Sequence, residues 1–429
     1  MRKAIILSMA ASLLLSSCAA VEDIKRLTAD DSSYSQTEDA RQDAEKTAEN
    51  DPTQSGAASM PSRPKKAADD EFSVPEHDPI PAVPDVPAGT PDDSIMPIEL
   101  TDDTGYTDEY GIFHYSDTGI LYELRDMAYE ACEDKTVDGW FYPDEFSNAA
   151  KMLYNVYPDI FWTKYFYYEC TDDGKTNIHI DLIDGIDTDK IPEMNEQINQ
   201  KADEIAALAN EMPTDYEKIK FVHDYLIENT HYEWDKQNEA KNTAYSCLIE
   251  GESACYGYTT AFQMIMQRLD IVSGLCYGYT PDFHVWNYVW FDDAYYWIDV
   301  SADDWEKDEN DRITGYTYFM TTDDHCLNGR TTDDEYNYFT PECKSTTHDF
   351  FAENKLILER YDFDTVNAIC FASQDNHAEI QFTTKAQFTR AKNELFNDGM
   401  AWNISALDPG EEIYVLFLSD FNIIILYWK

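Results

Sequence analysis

Apolar positions in residues 106–345 follow first a helical and then an alternating spacing. Apolar side chains that recur every three or four residues predict amphipathic helices over 121–132, 145–157, 191–212 and from 215 to about 229. The last of these helices opens with Thr214 and Glu217 in a capping-box pattern. Alternation predicts paired strands over 161–170 and 177–183, with Asp173-Gly174 as the turn between them.

The next segment predicts one helix followed by three strands. One helical face carries Ala261, Phe262, Ile265, Met266 and Leu269. Ser253 is the expected N-cap of this helix. Strands are predicted over 272–279, 283–291 and 295–301, and Asp292-Asp293 is the expected two-residue turn of the last hairpin. In that register His284 lies opposite Ser301, and Asp299 is its diagonal neighbour on the same face.

The C-terminal stretch continues the mixture of helix and strand. A strand over 377–383, a helix over 385–396 and strands near 401–404 and within 412–428 are predicted. The predicted fold class is α+β. A core over 191–345, with a helix packed on an antiparallel sheet, is flanked by an α+β region over 106–190 and an α/β region over 346–429.

The composition of residues 19–105 differs from that of the remaining chain. They hold 21 Asp and Glu, 7 Lys and Arg, 10 of the 17 prolines, and only Tyr34 and Phe72 as aromatic residues. Such a segment cannot bury enough apolar surface to offset the entropy lost on ordering. Prolines spread over 52–97 favour an extended chain. We therefore expect a disordered, acidic, proline-rich tether.

The N-terminal residues predict export and a lipid anchor. Arg2 and Lys3 precede the apolar run 4–15, which is too short to span a bilayer and is typical of a signal peptide. The run closes with Leu15-Ser16-Ser17-Cys18, which resembles the bacterial lipobox, in which the cysteine is lipidated. The expected location is extracytoplasmic, anchored to the bacterial cell membrane through Cys18 after removal of signal peptide 1–18. An ordinary signal peptide with an incidental cysteine is the alternative.

The charge balance excludes one class of partner. The chain carries 84 acidic and 31 basic side chains, for a formal net charge of -53. This field repels phosphate backbones, so no nucleic-acid partner is expected. Eight cysteines follow Cys18 without a CxxC pair, so neither a disulfide framework nor a zinc site is predicted.

Acidic side chains also cluster locally, and the clusters have two interpretations. The first group is Asp303, Asp304, Glu306, Asp308, Glu309 and Asp311, and the second is Asp181, Asp184, Asp187 and Asp189. Calcium prefers such oxygen ligands, but neither group has the EF-hand arrangement. A solvated acidic surface is therefore favoured, and no metal or cofactor is predicted.

Three residues carry the candidate chemistry. Cys255 lies near the predicted N-terminus of a helix, where unpaired backbone N–H groups and the helix dipole favour a thiolate over a thiol. His284 begins one strand of the predicted hairpin, and Asp299 ends its partner strand within reach of the imidazole. A buried carboxylate beside Ile298 and Val300 requires a partner. Taken singly, each residue is more often structural.

Together these residues resemble a known family. The strings Cys255-Tyr256-Gly257-Tyr258, His284-Val285-Trp286-Asn287 and Asp299-Val300-Ser301 resemble the transglutaminase-like superfamily, a branch of the papain-like cysteine enzymes. In that family these motifs supply a nucleophile, a base and an orienting acid in this order. The strings 222–226 and 318–324 also resemble bacterial, secreted members. Two departures are Ser301, where threonine is more common, and Ala254, where a β-branched residue is common.

The resemblance implies a papain-like core and acyl-transfer chemistry. The Cys255 thiolate would attack a peptide or glutamine amide, His284 would accept and donate the proton, and Asp299 would orient the imidazole. The thioester would then pass to water or to an amine, with hydrolysis slightly favoured. The expected partners are protein or peptide substrates outside the cell, with cell-wall peptides as candidates. A non-enzymatic cell-surface binding module on the same scaffold is the alternative.

Three further residues are interpreted in the light of this site. Gly257 is expected to let the His-bearing strand approach Cys255 closely. Trp286 shares the His284 face of its strand and is either a wall of the site or a core residue. The backbone N–H of Cys255 is one candidate oxyanion donor, and Tyr232 is a weaker candidate for the second.

Overall fold

The computed structural model describes residues 58–59, 98, 100–234, 238–308, 311–373, 376–407 and 413–428. The predicted signal peptide, Cys18 and most of the predicted tether therefore lie outside the described residues. Up to Ser345 the described residues form one compact unit, apart from Ala58–Ser59, which belong with residues 346–428 to a second unit.

The strands are β1 (Ala58–Ser59), β2 (Gly105–Thr107), β3 (Phe113–Tyr115), β4 (Asp134–Asp138), β5 (Thr163–Cys170), β6 (Lys175–Leu182), β7 (His231–Tyr232), β8 (Glu252–Ser253), β9 (Ser273–Tyr279), β10 (Phe283–Phe291), β11 (Ala294–Ile298), β12 (Asp304–Asp308), β13 (Asp311–Thr314), β14 (Phe319–Thr321), β15 (Thr331–Thr332), β16 (Ile357–Leu358), β17 (His377–Phe382), β18 (Ile413–Leu418) and β19 (Ile423–Trp428). The α-helices are α1 (Asp117–Tyr129), α2 (Pro143–Val156), α3 (Ile191–Ala209), α4 (Asp215–Asn229), α5 (Cys255–Arg268), α6 (Asp323–Cys326), α7 (Phe350–Glu353), α8 (Phe363–Ala372) and α9 (Lys385–Lys392).

The N-terminal part of the first unit combines two helices with a three-stranded sheet. Helix α1 begins after Ser116, whose side chain accepts a hydrogen bond from the Gly119 N–H. Pro143 occupies the first turn of α2, where its missing N–H costs no helical hydrogen bond. The sheet has the antiparallel order β4-β6-β5. The predicted helices and strands of this region are thereby confirmed, with bounds shifted by a few residues.

The core of the first unit packs helices α3, α4 and α5 with a five-stranded antiparallel sheet of order β14-β11-β10-β9-β15. Thr214 caps helix α4 as predicted, because its hydroxyl accepts from the Glu217 N–H at 3.2 Å. The Glu217 carboxylate accepts from the same hydroxyl at 2.7 Å. Helix α5 is buried along nearly its whole length. The α+β fold predicted from the sequence is confirmed.

A buried polar network joins α2 to the core. The Gln263 and Gln267 side chains of α5 both donate to the Asn155 carbonyl oxygen, at 3.1 and 3.0 Å. The Asn155 side chain accepts from the Leu275 N–H at 2.8 Å. Because these groups are buried, losing any of these hydrogen bonds would leave a desolvated polar group without a partner. The bonds therefore fix the position of α2 against α5 and β9.

The second unit is a five-stranded sheet of order β1-β18-β19-β17-β16 with helices on its apolar face. Ile380, Val415 and Leu426 of the sheet pack in one cluster with Val366 of α8 and Phe388 of α9. The predicted helix over 385–396 is confirmed, as an α-helix over Lys385–Lys392 that continues as a π-helical turn over Asn393–Asn397. The strand predicted near 401–404 was wrong, because Met400–Asn403 form a 3-10 turn.

Among the helices of the described ranges, none is both long and apolar enough to cross a bilayer.

Candidate active site

Helix α5 begins at Cys255, and its cap comes from a distant loop. Ala254 occupies the N-cap position and has no side-chain acceptor. The Asn242 side-chain oxygen instead accepts from the backbone N–H groups of Tyr256 and Gly257, at 2.9 and 3.3 Å. The predicted cap by Ser253 was wrong, because that hydroxyl lies 3.0 Å from the Ser246 hydroxyl.

Gly257 permits a close approach, but not by the predicted segment. A Cβ at this position would lie 1.9 Å from the Ser253 hydroxyl and 2.4 Å from the Thr243 carbonyl oxygen. Both atoms belong to the chain that leads into α5, whereas the expected neighbour was the strand that carries His284. Glycine is therefore required by the packing of the approach segment against the first turn of the helix.

The hairpin that carries His284 and Asp299 has the predicted register. Strands β10 and β11 pair Asn287 with Ile298 and Phe291 with Ala294. Asp292 and Asp293 both have positive φ, as a two-residue turn of this type requires. Strand β11 ends at Ile298 rather than at 301, so Asp299 lies in the turn that follows the strand.

The structure brings Cys255, His284 and Asp299 together. His284 Nε2 lies 2.8 Å from Asp299 Oδ2. The Cys255 thiol lies near enough to the His284 ring and the Val285 backbone N–H for both groups to lower its pKa. Because Nε2 faces the carboxylate, Nδ1 is the ring nitrogen left for the sulfur. Asp299 is buried, whereas Cys255 and His284 are partly exposed, so solvent reaches the sulfur and imidazole side of the site.

The charges of the three groups shift one another's pKa. Burial would raise the pKa of the Cys255 thiol, but the positive charge and hydrogen bond of His284 lower it below its ordinary value. Burial would lower the pKa of His284, yet the negative charges of Asp299 and Cys255 raise it to about 10. Asp299 is also buried, but the charges of His284 and Arg330 hold its pKa below its ordinary value. The favoured state is a thiolate beside an imidazolium.

Arg330 belongs to this cluster, and sequence reasoning missed it. Its Nη1 atom lies 2.6 Å from Asp299 Oδ2. The other carboxylate oxygen, Oδ1, accepts from the Ser301 hydroxyl at 3.0 Å and from the Ala302 N–H at 3.1 Å. No motif marks Arg330 in the sequence. The available signal was the carboxylate between two apolar residues, because a buried carboxylate needs a cation.

Trp286 and Tyr232 also contact the cluster. Trp286 is fully buried, stacks on the His284 ring at 5.9 Å between centroids, and packs in the core with Tyr288 and Trp297. Both interpretations of Trp286 therefore hold. Tyr232 of β7 lies near Cys255, and burial together with the negative charges of Cys255 and Asp299 raises the pKa of its hydroxyl.

Behind the site lies a second buried charge cluster. His223 is fully buried, with Nδ1 2.9 Å from Asp224 Oδ1 and Nε2 3.3 Å from Asp303 Oδ2. Burial would lower the pKa of His223, but hydrogen bonds to these two carboxylates raise it above its ordinary value. Asp303 also accepts from the Tyr318 N–H at 3.0 Å.

The expected solvated acidic surface is therefore wrong for Asp303, which is fully buried. In the second acidic group Asp184, Asp187 and Asp189 are exposed, as expected. No group of three His, Cys, Asp or Glu side chains in the described part of the chain is arranged to hold a metal ion.

The other cysteines differ from Cys255. All eight cysteines that follow Cys18 are free in the structure. Cys247, Cys276, Cys326, Cys343 and Cys370 are buried, and burial raises the pKa of each thiol, to about 12 for Cys247. Among these buried or partly buried thiols, the environment of Cys255 is the one that lowers the pKa.

Residues 206–302 match the family model of the transglutaminase-like superfamily. The matched stretch contains Cys255, His284 and Asp299, and the resemblance found in the sequence is thereby confirmed for this part of the chain. The match supports an enzyme of the transglutaminase-like kind. No curated protein matches the chain.

Three solved structures are weakly similar to this chain. A TGase matches with 12% identity over 36% of this chain and 48% of its own, at a TM-score of 0.24. A Cytophaga hutchinsonii protein proposed to be a cysteine protease matches with 16% identity over 32% of this chain and 61% of its own, at 0.22. A Parabacteroides distasonis protein proposed to be a protease matches with 8% identity over 62% and 61%, at 0.24. The chain thus covers about half to three-fifths of these proteins, and such TM-scores establish no shared fold.

Proposed function

We propose that this chain, whose core is transglutaminase-like, is a cysteine acyl-transfer enzyme that acts on peptide or glutamine amide bonds through Cys255, His284 and Asp299. One observation carries the proposal. His284 Nε2 lies 2.8 Å from the Asp299 carboxylate, and Cys255 lies near enough to His284 for the imidazolium charge to lower the thiol pKa. A nucleophile, a base and an orienting acid linked in this way are what acyl transfer requires.

In the first step the thiolate attacks the amide carbonyl carbon. The C–N bond breaks, the imidazolium of His284 gives its proton to the departing amine or ammonia, and an acyl thioester remains on Cys255. In the second step the neutral imidazole takes a proton from water or from a primary amine, which attacks the thioester. Sulfur leaves as thiolate, His284 is again protonated, and an acid or a new amide is released.

The oxyanion of each tetrahedral intermediate needs donors. The Cys255 backbone N–H lies at the start of α5, and the Tyr232 hydroxyl lies near enough to this residue for a thiolate there to raise the Tyr232 pKa. We assign both groups to the oxyanion. Loss of one such donor typically costs 10²- to 10³-fold in kcat. Tyr232→Phe should lower kcat for an amide substrate by roughly that factor.

A transfer assay distinguishes the possible reactions. The purified chain is incubated with a glutamine-rich protein and a fluorescent primary amine, and Cys255→Ala is the matched control. Fluorescence that becomes covalently attached only with wild type indicates transfer, whereas free ammonia or new fragments without fluorescence indicate hydrolysis. Hydrolysis is the expected main reaction, because water is always present and an amine acceptor needs its own site.

Thiol labelling separates an enzyme from a binding module. Iodoacetamide at neutral pH should modify Cys255 at least tenfold faster than Cys247, because burial raises the Cys247 pKa to about 12. Equal and slow labelling of all the cysteines would contradict the proposed enzyme and favour a surface module without catalytic activity.

We also propose that the protein is held outside the cell by lipid on Cys18. The support is the sequence Leu15-Ser16-Ser17-Cys18 after an apolar run. Cells fed an alkyne fatty acid should yield a labelled, membrane-associated protein, and Cys18→Ala should abolish the label. A labelled Cys18→Ala protein would contradict this anchor site.

A further inference from the structure

The Asp299 carboxylate is fully occupied by four donors from different parts of the chain. Oδ1 accepts from the Ser301 hydroxyl and the Ala302 N–H, both in the turn that contains Asp299. Oδ2 accepts from His284 at 2.8 Å and from Arg330 at 2.6 Å. The local donors hold one oxygen, and Arg330 fixes the oxygen that contacts the imidazole.

Arg330 is itself held rigidly. Its guanidinium carbon lies 3.8 Å from the centroid of the Tyr318 ring and 5.6 Å from that of Trp286. Aromatic faces attract a planar cation and restrict its orientation. The Arg330 side chain is only 7% exposed. Without its carboxylate, this buried cation would have a large desolvation cost.

The pairing of strand β15 with β9 positions Arg330 next to Asp299. Arg330 immediately precedes β15, the edge strand that pairs Thr331 with Tyr279 of β9. A Cβ on Gly278 would lie 1.9 Å from the Thr331 carbonyl oxygen and 2.6 Å from the Trp286 ring. Glycine at this position, which pairs with His284 on the other side, therefore lets β15 dock at the end of the sheet where the site lies.

The charge balance explains what an arginine adds. With Cys255 as thiolate and His284 as imidazolium, their two charges cancel, and Asp299 leaves one negative charge that is buried. Arg330 supplies the matching positive charge. Its field acts on the thiolate in the same direction as that of His284, and both lower the pKa of Asp299.

We propose that Arg330 is a positioning residue of the site, which aims Asp299 Oδ2 at His284, keeps the buried carboxylate ionised and adds a positive field that favours the Cys255 thiolate. The role of Arg330 in catalysis rests on the proposed function. The ionisation of Cys255, however, can be measured without any substrate.

The test measures the rate of Cys255 alkylation by iodoacetamide from pH 4 to 10 for wild type, R330Q and R330K. In R330Q the loss of a buried positive charge beside the triad should raise the midpoint of the profile by about one pH unit. R330K keeps the positive charge, so its midpoint should stay within about 0.3 pH units of wild type. It loses the planar guanidinium that orients Asp299, so amide turnover should fall about tenfold.

The matched control is R268Q. Arg268 lies at the other end of α5, where its Nε contacts Asp203 at 2.5 Å. This variant also removes an arginine from an ion pair of the core, but it should leave the Cys255 midpoint unchanged. Circular dichroism checks that each variant is folded, and R330K decides the question if R330Q does not fold.

The possible failures are distinguishable. A wild-type midpoint at the ordinary cysteine pKa of about 8.5 would overturn the proposed activation of Cys255 itself. A low wild-type midpoint that R330Q leaves unchanged would overturn only the role of Arg330, as would an R330K midpoint displaced by a full unit. A merely structural role would lower the stability of R330Q without moving its midpoint.

Discussion

At the scale of single residues, ionisation in the site is set by contact rather than by residue type. Cys247 and Cys255 belong to the same core, yet burial raises the thiol pKa of the first, and a neighbouring imidazolium lowers that of the second. His284 gains a positive charge for the opposite reason, because two anions surround it. Each group in the site therefore has the protonation state that the proposed acyl transfer would require.

The pH profile of catalysis follows from these shifts. Activity needs Cys255 as thiolate and His284 as imidazolium, so the rate should rise on an acidic limb below the ordinary cysteine range. It should fall again as pH passes about 10, where His284 loses its proton. The measurement is kcat/KM for an amide substrate from pH 4 to 11. A single rise centred near pH 8.5, with no alkaline fall, would contradict the ion pair.

His223 should stabilise the fold in a pH-dependent way. Both of its ring nitrogens face carboxylates, so the buried ring must be protonated to donate twice. A raised folded pKa gives stability that is fully present below the unfolded value of about 6.5 and is lost as pH rises through the folded pKa. His223→Gln should cost about 3–5 kcal/mol at pH 5.5 and less at alkaline pH.

The control for this prediction is His179→Gln. His179 also lies between two carboxylates, those of Asp134 and Asp181, but its side chain is 41% exposed. Solvent screening should limit its effect to about 1 kcal/mol or less. Urea denaturation at several pH values measures both variants, and equal losses for the two histidines would argue against a special role of burial at His223.

At the scale of elements, helix α5 depends on a partner from outside its own sequence. The first turn presents Cys255, but Ala254 cannot cap it. Asn242, which lies in the preceding loop, accepts hydrogen bonds from two backbone N–H groups of this first turn. The same arrangement connects the conformation of the loop to the field at the sulfur, because a helix N-terminus stabilises a thiolate only when it is correctly formed.

Asn242→Ala should therefore act on stability and reactivity together. Loss of the cap should cost about 1 kcal/mol of unfolding free energy. It should also slow Cys255 alkylation at pH 6 several-fold, since the first turn frays. Asn242→Asp keeps an acceptor and should retain most of the stability, but its negative charge should raise the Cys255 pKa. Alkylation as fast in Asn242→Ala as in wild type would show that the cap does not matter to the sulfur.

The helices and strands also show which features the sequence patterns predict correctly. Periodicity located the helices and strands of the core, and the Asp292-Asp293 turn gave the register that brings Asp299 toward His284. Periodicity failed for the strand predicted near 401–404, where a short apolar stretch is compatible with either a strand or the observed 3-10 turn. It also failed for Ser253, because a suitable residue before a helix does not show whether its hydroxyl has another partner.

At the scale of the whole molecule, charge is the dominant feature. The formal net charge of -53 is spread over both the predicted tether and the rest of the chain, since residues 106–429 carry 63 acidic and 22 basic side chains. A field of this sign attracts cationic substrates and repels anionic ones, and the attraction weakens as salt shortens the Debye length. It selects among substrates without any specific contact.

Salt should therefore change substrate preference. At about 20 mM salt, kcat/KM for a cationic amine or a lysine-flanked glutamine peptide should exceed that for its glutamate-flanked counterpart by at least about tenfold. Raising the salt to about 300 mM should shrink this ratio several-fold and leave an uncharged peptide unaffected. A ratio independent of salt would mean that local contacts, not the overall field, select the substrate.

The sequence by itself determined the α+β class, the order of Cys255, His284 and Asp299, and the hairpin register, because these depend on periodicity, turn residues and local spacing. Only the tertiary structure decided which groups complete the site. Arg330 and Asn242 reach Asp299 and α5 from loops 31 and 14 residues away in the chain. No local pattern encodes such contacts, because they follow from how the sheet edge and the approach loop pack.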